Sequence, residues 1–177
     1  RLLEVELGSA EAHFLMDRAR QDPGGTYIGV EIRREVADKA NLECTKEGLD
    51  QVRSVFANMT VDLPRLFPSG SVNRFHLNFP DPWWKSKQQK RRVVSPALVD
   101  ELFRALGQDG EIHVATDIFD IALDAMAVLE EDPNRFQSFA APWTFLRTSP
   151  FAARSRRERQ CESEGTRIWR LAYRKVT

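Results

Sequence analysis

Cysteine is scarce in this chain: two in 177 residues, Cys44 and Cys161. Neither has a partner at CxxC spacing, so neither a disulfide framework nor a zinc knuckle is written here. A reduced, intracellular, cytoplasmic protein is the simplest expectation. Histidine is nearly as scarce. His13, His76 and His113 fall on different elements and read as structural or exposed, so no metal is expected. No Ser-His-Asp triad is evident. No apolar run approaches the 18 residues of a membrane helix, and no signal-peptide pattern opens the chain. Repeats, low-complexity tracts and linkers are also missing. One domain over residues 1–177, large enough for a real core, is therefore expected. The first residues already read as a strand, so a missing N-terminal segment is a further expectation.

Net charge is absent too, yet its zero hides a pattern. Residues 1–50 carry −4, residues 51–99 carry +6, residues 100–132 carry −9, and residues 133–177 carry +7. Two strongly cationic blocks fit a protein that meets a polyanion on one face. Long charged side chains also cover ordinary surfaces, so composition alone does not decide.

Apolar runs alternate with helical patterns, which predicts a parallel α/β sheet. Strands are expected at Leu2–Leu7, Tyr27–Ile32, Val52–Phe56, Val72–Phe79, Glu111–Ala115 and Ile168–Tyr173. In the fourth, Phe75, Leu77 and Phe79 alternate with Arg74, His76 and Asn78. Helices are expected at Glu11–Gln21 and Arg34–Glu47, with Gly48 as a stop. Ser95-Pro96 marks another helix start, an N-cap serine before a first-turn proline. Its apolar stripe is Val99, Leu102, Phe103 and Leu106, and Gly107 is read as its end. Asp117 is read as the cap of a helix with Ile121, Ala122, Ala125, Met126 and Leu129 on one face.

Three strand ends carry polar residues suited to a nucleoside. Strand one runs into Gly8-Ser9-Ala10-Glu11-Ala12, a small-residue turn that exposes backbone N–H groups at a helix start. The GxGxxG fingerprint of dinucleotide sites is absent. Glu31 ends strand two, where a carboxylate accepts hydrogen bonds from ribose hydroxyls. Asn58 follows strand three and suits an adenine edge or a turn cap. Strand four then runs into Asn78-Phe79-Pro80-Asp81-Pro82-Trp83-Trp84-Lys85. Two prolines stiffen the turn that presents Asp81. Lys85, Lys87, Lys90, Arg91 and Arg92 follow without an acid among them, and suit RNA phosphates together with Arg154, Arg156, Arg157 and Arg159. Of the two indoles, one is read as stacking on a target base and one as packing under the turn.

GSAEA, Gly29-Val30-Glu31-Ile32, the run Asn78–Lys85, Gln89-Lys90-Arg91-Arg92, Ala115-Thr116-Asp117 and the tail Ser155–Arg174 together resemble the tRNA (guanine-N7)-methyltransferases. The similarity covers nearly all of the chain from residue 3 on, and Phe-Pro-Asp-Pro-Trp followed by Lys-Arg-Arg is its specific part. The resemblance implies a class I, Rossmann-like methyltransferase fold: a seven-stranded, mostly parallel sheet with helices on both faces and an antiparallel C-terminal strand. It implies S-adenosyl-L-methionine as cofactor, tRNA as partner and methylation of guanine 46 in the variable loop. By residue, it places Glu6 and Gly8 by the methionine moiety and Glu31 at the ribose. Arg33 then approaches the cofactor, and Asn58 and Met59 lie beside the adenine. Asp81 becomes the catalytic residue, also against the cofactor. Lys85, Asp117 and the tetrad Ser155, Arg156, Arg157 and Glu158 fall at substrate-binding positions.

The departures are Ala10 and Ala12, where relatives usually have glycine in a turn that favours positive φ, Asn58 where many have aspartate, Ser155 in place of threonine, Trp84 in place of a smaller or more polar residue, and Gln89 in place of a common polar neighbour of the Lys-Arg-Arg run. The alanine-substituted turn keeps a second class open, a catalytically weak RNA-binding homologue. A small-molecule methyltransferase is the third reading. Oligomeric state is left open between monomer and homodimer. The implied chemistry needs no proton abstraction: guanine N7 carries a lone pair and no proton. Asp81 is therefore assigned orientation and electrostatic stabilisation rather than base catalysis.

Overall fold

The computed structural model describes residues 2–81 and 93–176. Strand and helix alternate as β1 (Leu3–Leu7), α1 (His13–Gln21), β2 (Thr26–Glu31), α2 (Arg34–Lys46) and β3 (Val52–Phe56). There follow α3 (Leu63–Leu66), β4 (Val72–Asn78), α4 (Pro96–Ala105), β5 (Leu106–Thr116) and α5 (Phe119–Leu129). The chain closes with β6 (Phe136–Ser138), α6 (Arg156–Glu164) and β7 (Trp169–Lys175).

The seven strands lie in the order β3-β2-β1-β4-β5-β7-β6. β1 to β5 pair in parallel, and β7 runs antiparallel to both β5 and β6. Strand order reverses between β1 and β4. A crevice outside the carboxyl ends is expected at such a point.

Helices cover both faces. Leu15, Met16, Ala19, Ala40 and Cys44 of α1 and α2 pack with Tyr27 and Val52 on one side. Leu98, Leu102, Ala125 and Met126 of α4 and α5 pack with Val5, Phe75 and Ile112 on the other. Among the described residues, no helix is long and apolar enough to cross a membrane.

Several local expectations need correction. β4 does not alternate between an apolar and a wet face: His76 is as buried as Phe75 and Leu77, because a central parallel strand is covered on both sides. Phe79 leaves the strand in the left-handed region (φ 50°). Gly107 does not end α4. The helix stops at Ala105, and Leu106 already pairs with Val72 in the sheet. Gly107 is needed for close approach, since a Cβ there would lie 3.0 Å from the Gly70 carbonyl oxygen. Asp117 does not cap α5: Ile118 is the N-cap residue and no side chain caps the helix, while Thr116 Oγ1 accepts from Ile118 N–H (3.1 Å) just before it. The Ser95 cap stands as expected, accepting from Leu98 N–H (3.2 Å) with Pro96 opening the helix. Pro82, Trp83, Trp84, Lys85, Lys87, Lys90, Arg91 and Arg92 lie outside the described residues.

Candidate active site

The carboxyl ends of β1, β2, β3 and β4, with the start of α6, enclose a cavity of about 620 Å³. That is the size of a site for a cofactor or drug-sized ligand. Glu6, Gly8, Glu31, Arg33, Asn58, Met59 and Asp81 all line it, as do Ser155, Arg156 and Arg157. Residues far apart in sequence thus meet in one hollow.

The turn after β1 forms its floor. Gly8 adopts φ +76° and donates its N–H to the Val30 carbonyl (2.8 Å). Ala10 and Ala12 also take positive φ, 46° and 60°. For a residue with a Cβ this conformation costs about 1–2 kcal/mol. Ala12, left-handed and therefore non-helical, is the N-cap, so α1 begins only at His13. Ala12 is fully buried among α1 and β2 side chains, and its methyl stays out of the cavity. Gly29 lies beneath, where a Cβ would collide with Ser9 Oγ.

Glu31, at the end of β2, is almost wholly buried. It accepts from Ala10 N–H (2.9 Å), from Arg33 N–H (3.0 Å) and from Arg33 Nε (2.8 Å). Burial pushes its carboxyl up, but the Arg33 guanidinium and these N–H groups outweigh burial and hold it below the usual range. Arg33 itself is well exposed.

Glu6 behaves differently. Its Oε1 accepts from Asn78 Nδ2 (2.9 Å), while buried Oε2 has no partner among the described residues. Burial pushes this carboxyl up to about 8, with Glu158 and Glu31 adding repulsion and Asn78 opposing. Ser9 Oγ is a second buried polar atom without a partner. Asn58 performs the turn-capping role: its Oδ1 accepts from Thr60 N–H and Thr60 Oγ1 (2.9 and 2.7 Å). Asp81 is exposed at the cavity wall, after the strained Phe79 and Pro80.

The tail closes one side. Ser155 caps α6 by accepting from Glu158 N–H (3.1 Å). Arg157 donates to Asp117 (2.6 Å), which does not itself line the cavity. Glu158 faces away from the cavity, bound to Arg170 Nη2 (2.8 Å). Reasoning from residues gave no role to Asn78, Ser9 or Arg170, which the structure places against Glu6, in the cavity lining and against Glu158. Asn78 was detectable as a polar residue ending an apolar strand; Arg170 was not, because only the fold brings it to Glu158.

A family model described as "Putative methyltransferase" matches residues 1–171. A tRNA (guanine-N(7)-)-methyltransferase of Synechococcus sp. (strain JA-3-3Ab) is 33% identical over 95% of this chain and 70% of its own length. Another, from Synechococcus elongatus, is 31% identical over 98% of this chain and 81% of its own length. The chain belongs to the tRNA (guanine-N7)-methyltransferase family. The family's fold is also that of more distant structures. A SAM-dependent methyltransferase from Aquifex aeolicus superposes with a TM-score of 0.67 at 10% identity, covering 99% of this chain and 82% of that one.

Proposed function

We propose that this chain transfers a methyl group from S-adenosyl-L-methionine to N7 of guanine in tRNA, with guanine 46 of the variable loop as the target. The observation that carries the reading is the meeting, in one cavity, of a ribose-type acid, a half-satisfied acid beside a glycine turn, and a proline-flanked aspartate. Family membership gives the same direction.

The residues present fit the cofactor. Buried Glu6 Oε2 and Ser9 Oγ lack partners, and a methionine ammonium supplies donors for such acceptors. Glu31 would take the ribose hydroxyls once Arg33 moves off. Met59 and the Asn58 turn would flank the adenine. When bound, the cofactor supplies a methyl group on a sulfonium.

The chain's own work is positional and electrostatic. N7 attacks with a lone pair that carries no proton, so no residue has to remove one. Asp81 holds the guanine edge and stabilises the positive charge that grows on the purine. Arg156 and Arg157, beside the cavity, hold backbone phosphates, with the basic run 85–92 in the same role. A small-molecule methyltransferase would have no use for these cations, so its activity would ignore salt.

The test separates two acids. Glu31→Ala should weaken cofactor affinity about 10- to 100-fold by calorimetry, since hydrogen bonds to a charged acceptor are lost, with tRNA affinity retained. Asp81→Ala should lower kcat about 100-fold or more with thermal unfolding unchanged. Turnover by Asp81→Ala within tenfold of wild type removes it from the mechanism.

A further inference from the structure

We propose that Phe119, Phe145 and Trp169, with the guanidinium of Arg167, form a stacking surface for an unpaired tRNA base neighbouring the one held at the cavity. The proposal rests on the RNA reading above. Phe119 opens α5 and is 44% exposed. Its ring lies 4.6 Å from that of Trp169, and Phe145 lies 4.9 Å from the same indole. Arg167 Cζ stands 4.0 Å over the Trp169 ring, at stacking distance. The guanidinium is exposed, so its outer plane meets solvent. A planar cation held on an indole is a surface on which a base stacks.

The charge pattern separates this patch from the rest of the tail. Arg154 pairs with Glu162, Arg157 with Asp117, Arg159 with Asp17, Arg170 with Glu158 and Arg174 with Glu111. Arg167 and Arg147 form no ion pair or hydrogen bond among the described residues. Arg147 adjoins Leu146, whose N–H binds the Arg170 carbonyl (2.9 Å), so it flanks the same patch. Exposed Phe119, backed by half-buried Phe145 and Trp169 and set between two unneutralised cations, complements a base and its phosphates. A two-fold contact with a second copy would bring the same cations together.

Position gives the rest. Trp169 pairs with Thr116, and Ala115 pairs with Asn78, the last residue of β4. The Trp169 backbone therefore stands two strand spacings, about 10 Å, from the end of β4, along the carboxyl edge that bears the cavity. The Arg157–Asp117 pair ties the cavity wall to the loop that leads into Phe119. A nucleotide next to the bound guanine reaches this surface.

The measurement is anisotropy titration of labelled, unmodified tRNA, with methylation kinetics, for wild type, Phe119→Ala, Arg167→Ala and Arg167→Lys. Phe119→Ala and Arg167→Ala should each raise tRNA Kd and KM about fivefold or more, with kcat and cofactor affinity within twofold. Arg167→Lys, which keeps charge but not the plane, should recover less than half of the loss. Unchanged tRNA affinity in Arg167→Ala, an exposed site with little folding risk, overturns the proposal; so does full rescue by lysine. A dimer that Phe119→Ala dissociates, at unchanged tRNA affinity, makes the patch a subunit interface and also overturns it. Wild type that binds tRNA without methylating it, with the same losses in the variants, upholds the surface and sinks the transfer reading. Wild type that methylates, with unaffected variants, sinks the surface alone. Wild type that does not bind tRNA sinks both.

Discussion

Glu4 and Glu6 sit two residues apart on one strand, both buried, with opposite protonation. Glu4 is saturated: Arg18 Nε and Nη2, Arg74 Nη1 and His76 Nε2 all lie within 3.1 Å of its oxygens. Burial pushes Glu4 up, but these donors hold it well below the usual carboxylate range, while burial drives His76 down to about 4, neutral. Glu6 has one donor, Asn78, and burial lifts it to about 8. Between its ordinary value of 4.5 and about 8, the folded chain keeps a proton that the unfolded chain has released. Stability from this group is therefore present at low pH and lost as pH rises through that window. Glu6→Gln stays neutral throughout. Its melting temperature should match wild type near pH 4.5 and exceed it by on the order of 5 °C at pH 8. A difference that stays flat with pH would mean that Glu6 is ionised in the fold.

At the scale of elements, α6 and β7 depend on a pair that no periodicity announces. Arg170 and Glu158 are both nearly buried and joined at 2.8 Å. Removing the arginine leaves a buried carboxylate with Arg154 Nε 3.7 Å away. Arg170→Ala should cost about 3 kcal/mol, or roughly 6–12 °C of melting temperature; a loss below about 2 °C contradicts the pairing. Legibility follows the same lines. Val52–Phe56 was readable because β-branched and aromatic residues cluster there, and Ser95-Pro96 because a cap has its own chemistry. α6 was not read as a helix. Its composition, RRERQCESE, offers no apolar stripe, although Ser155 with Glu158 three residues on is a capping pattern. β6 is three residues long and too short for any period. Gly107 misled because glycine marks close contact as readily as a helix end. In the site, Glu31 and the Gly8 turn were visible as strand-end chemistry. The positive φ of Ala10 and Ala12 went against residue preference, and the sites of Glu158 and Asp117 depend on arginines that only tertiary packing brings near.

At the scale of the molecule, sheet order gathers the chemistry. Reversal between β1 and β4 opens the crevice; Glu6 and Asn78 meet across it, and Glu31 and Asp81 flank it. The cationic tail folds back over the same edge through α6 and β7. Much of its charge is paired on the way; Arg156 and Arg157 stay partly exposed at the cavity, and Arg147 and Arg167 have no ion pair among the described residues. The zero net charge thus resolves into an acid-lined cavity rimmed by arginine. Binding of a polyanion to that rim weakens as counterion release becomes less favourable in salt. The most direct test of the account is mass mapping of unmodified tRNA incubated with this protein and isotopically labelled S-adenosyl-L-methionine. The account predicts labelled 7-methylguanosine at position 46 of the variable loop, lost with Asp81→Ala. Label on another base or atom, or none while the protein binds both cofactor and tRNA, would contradict it.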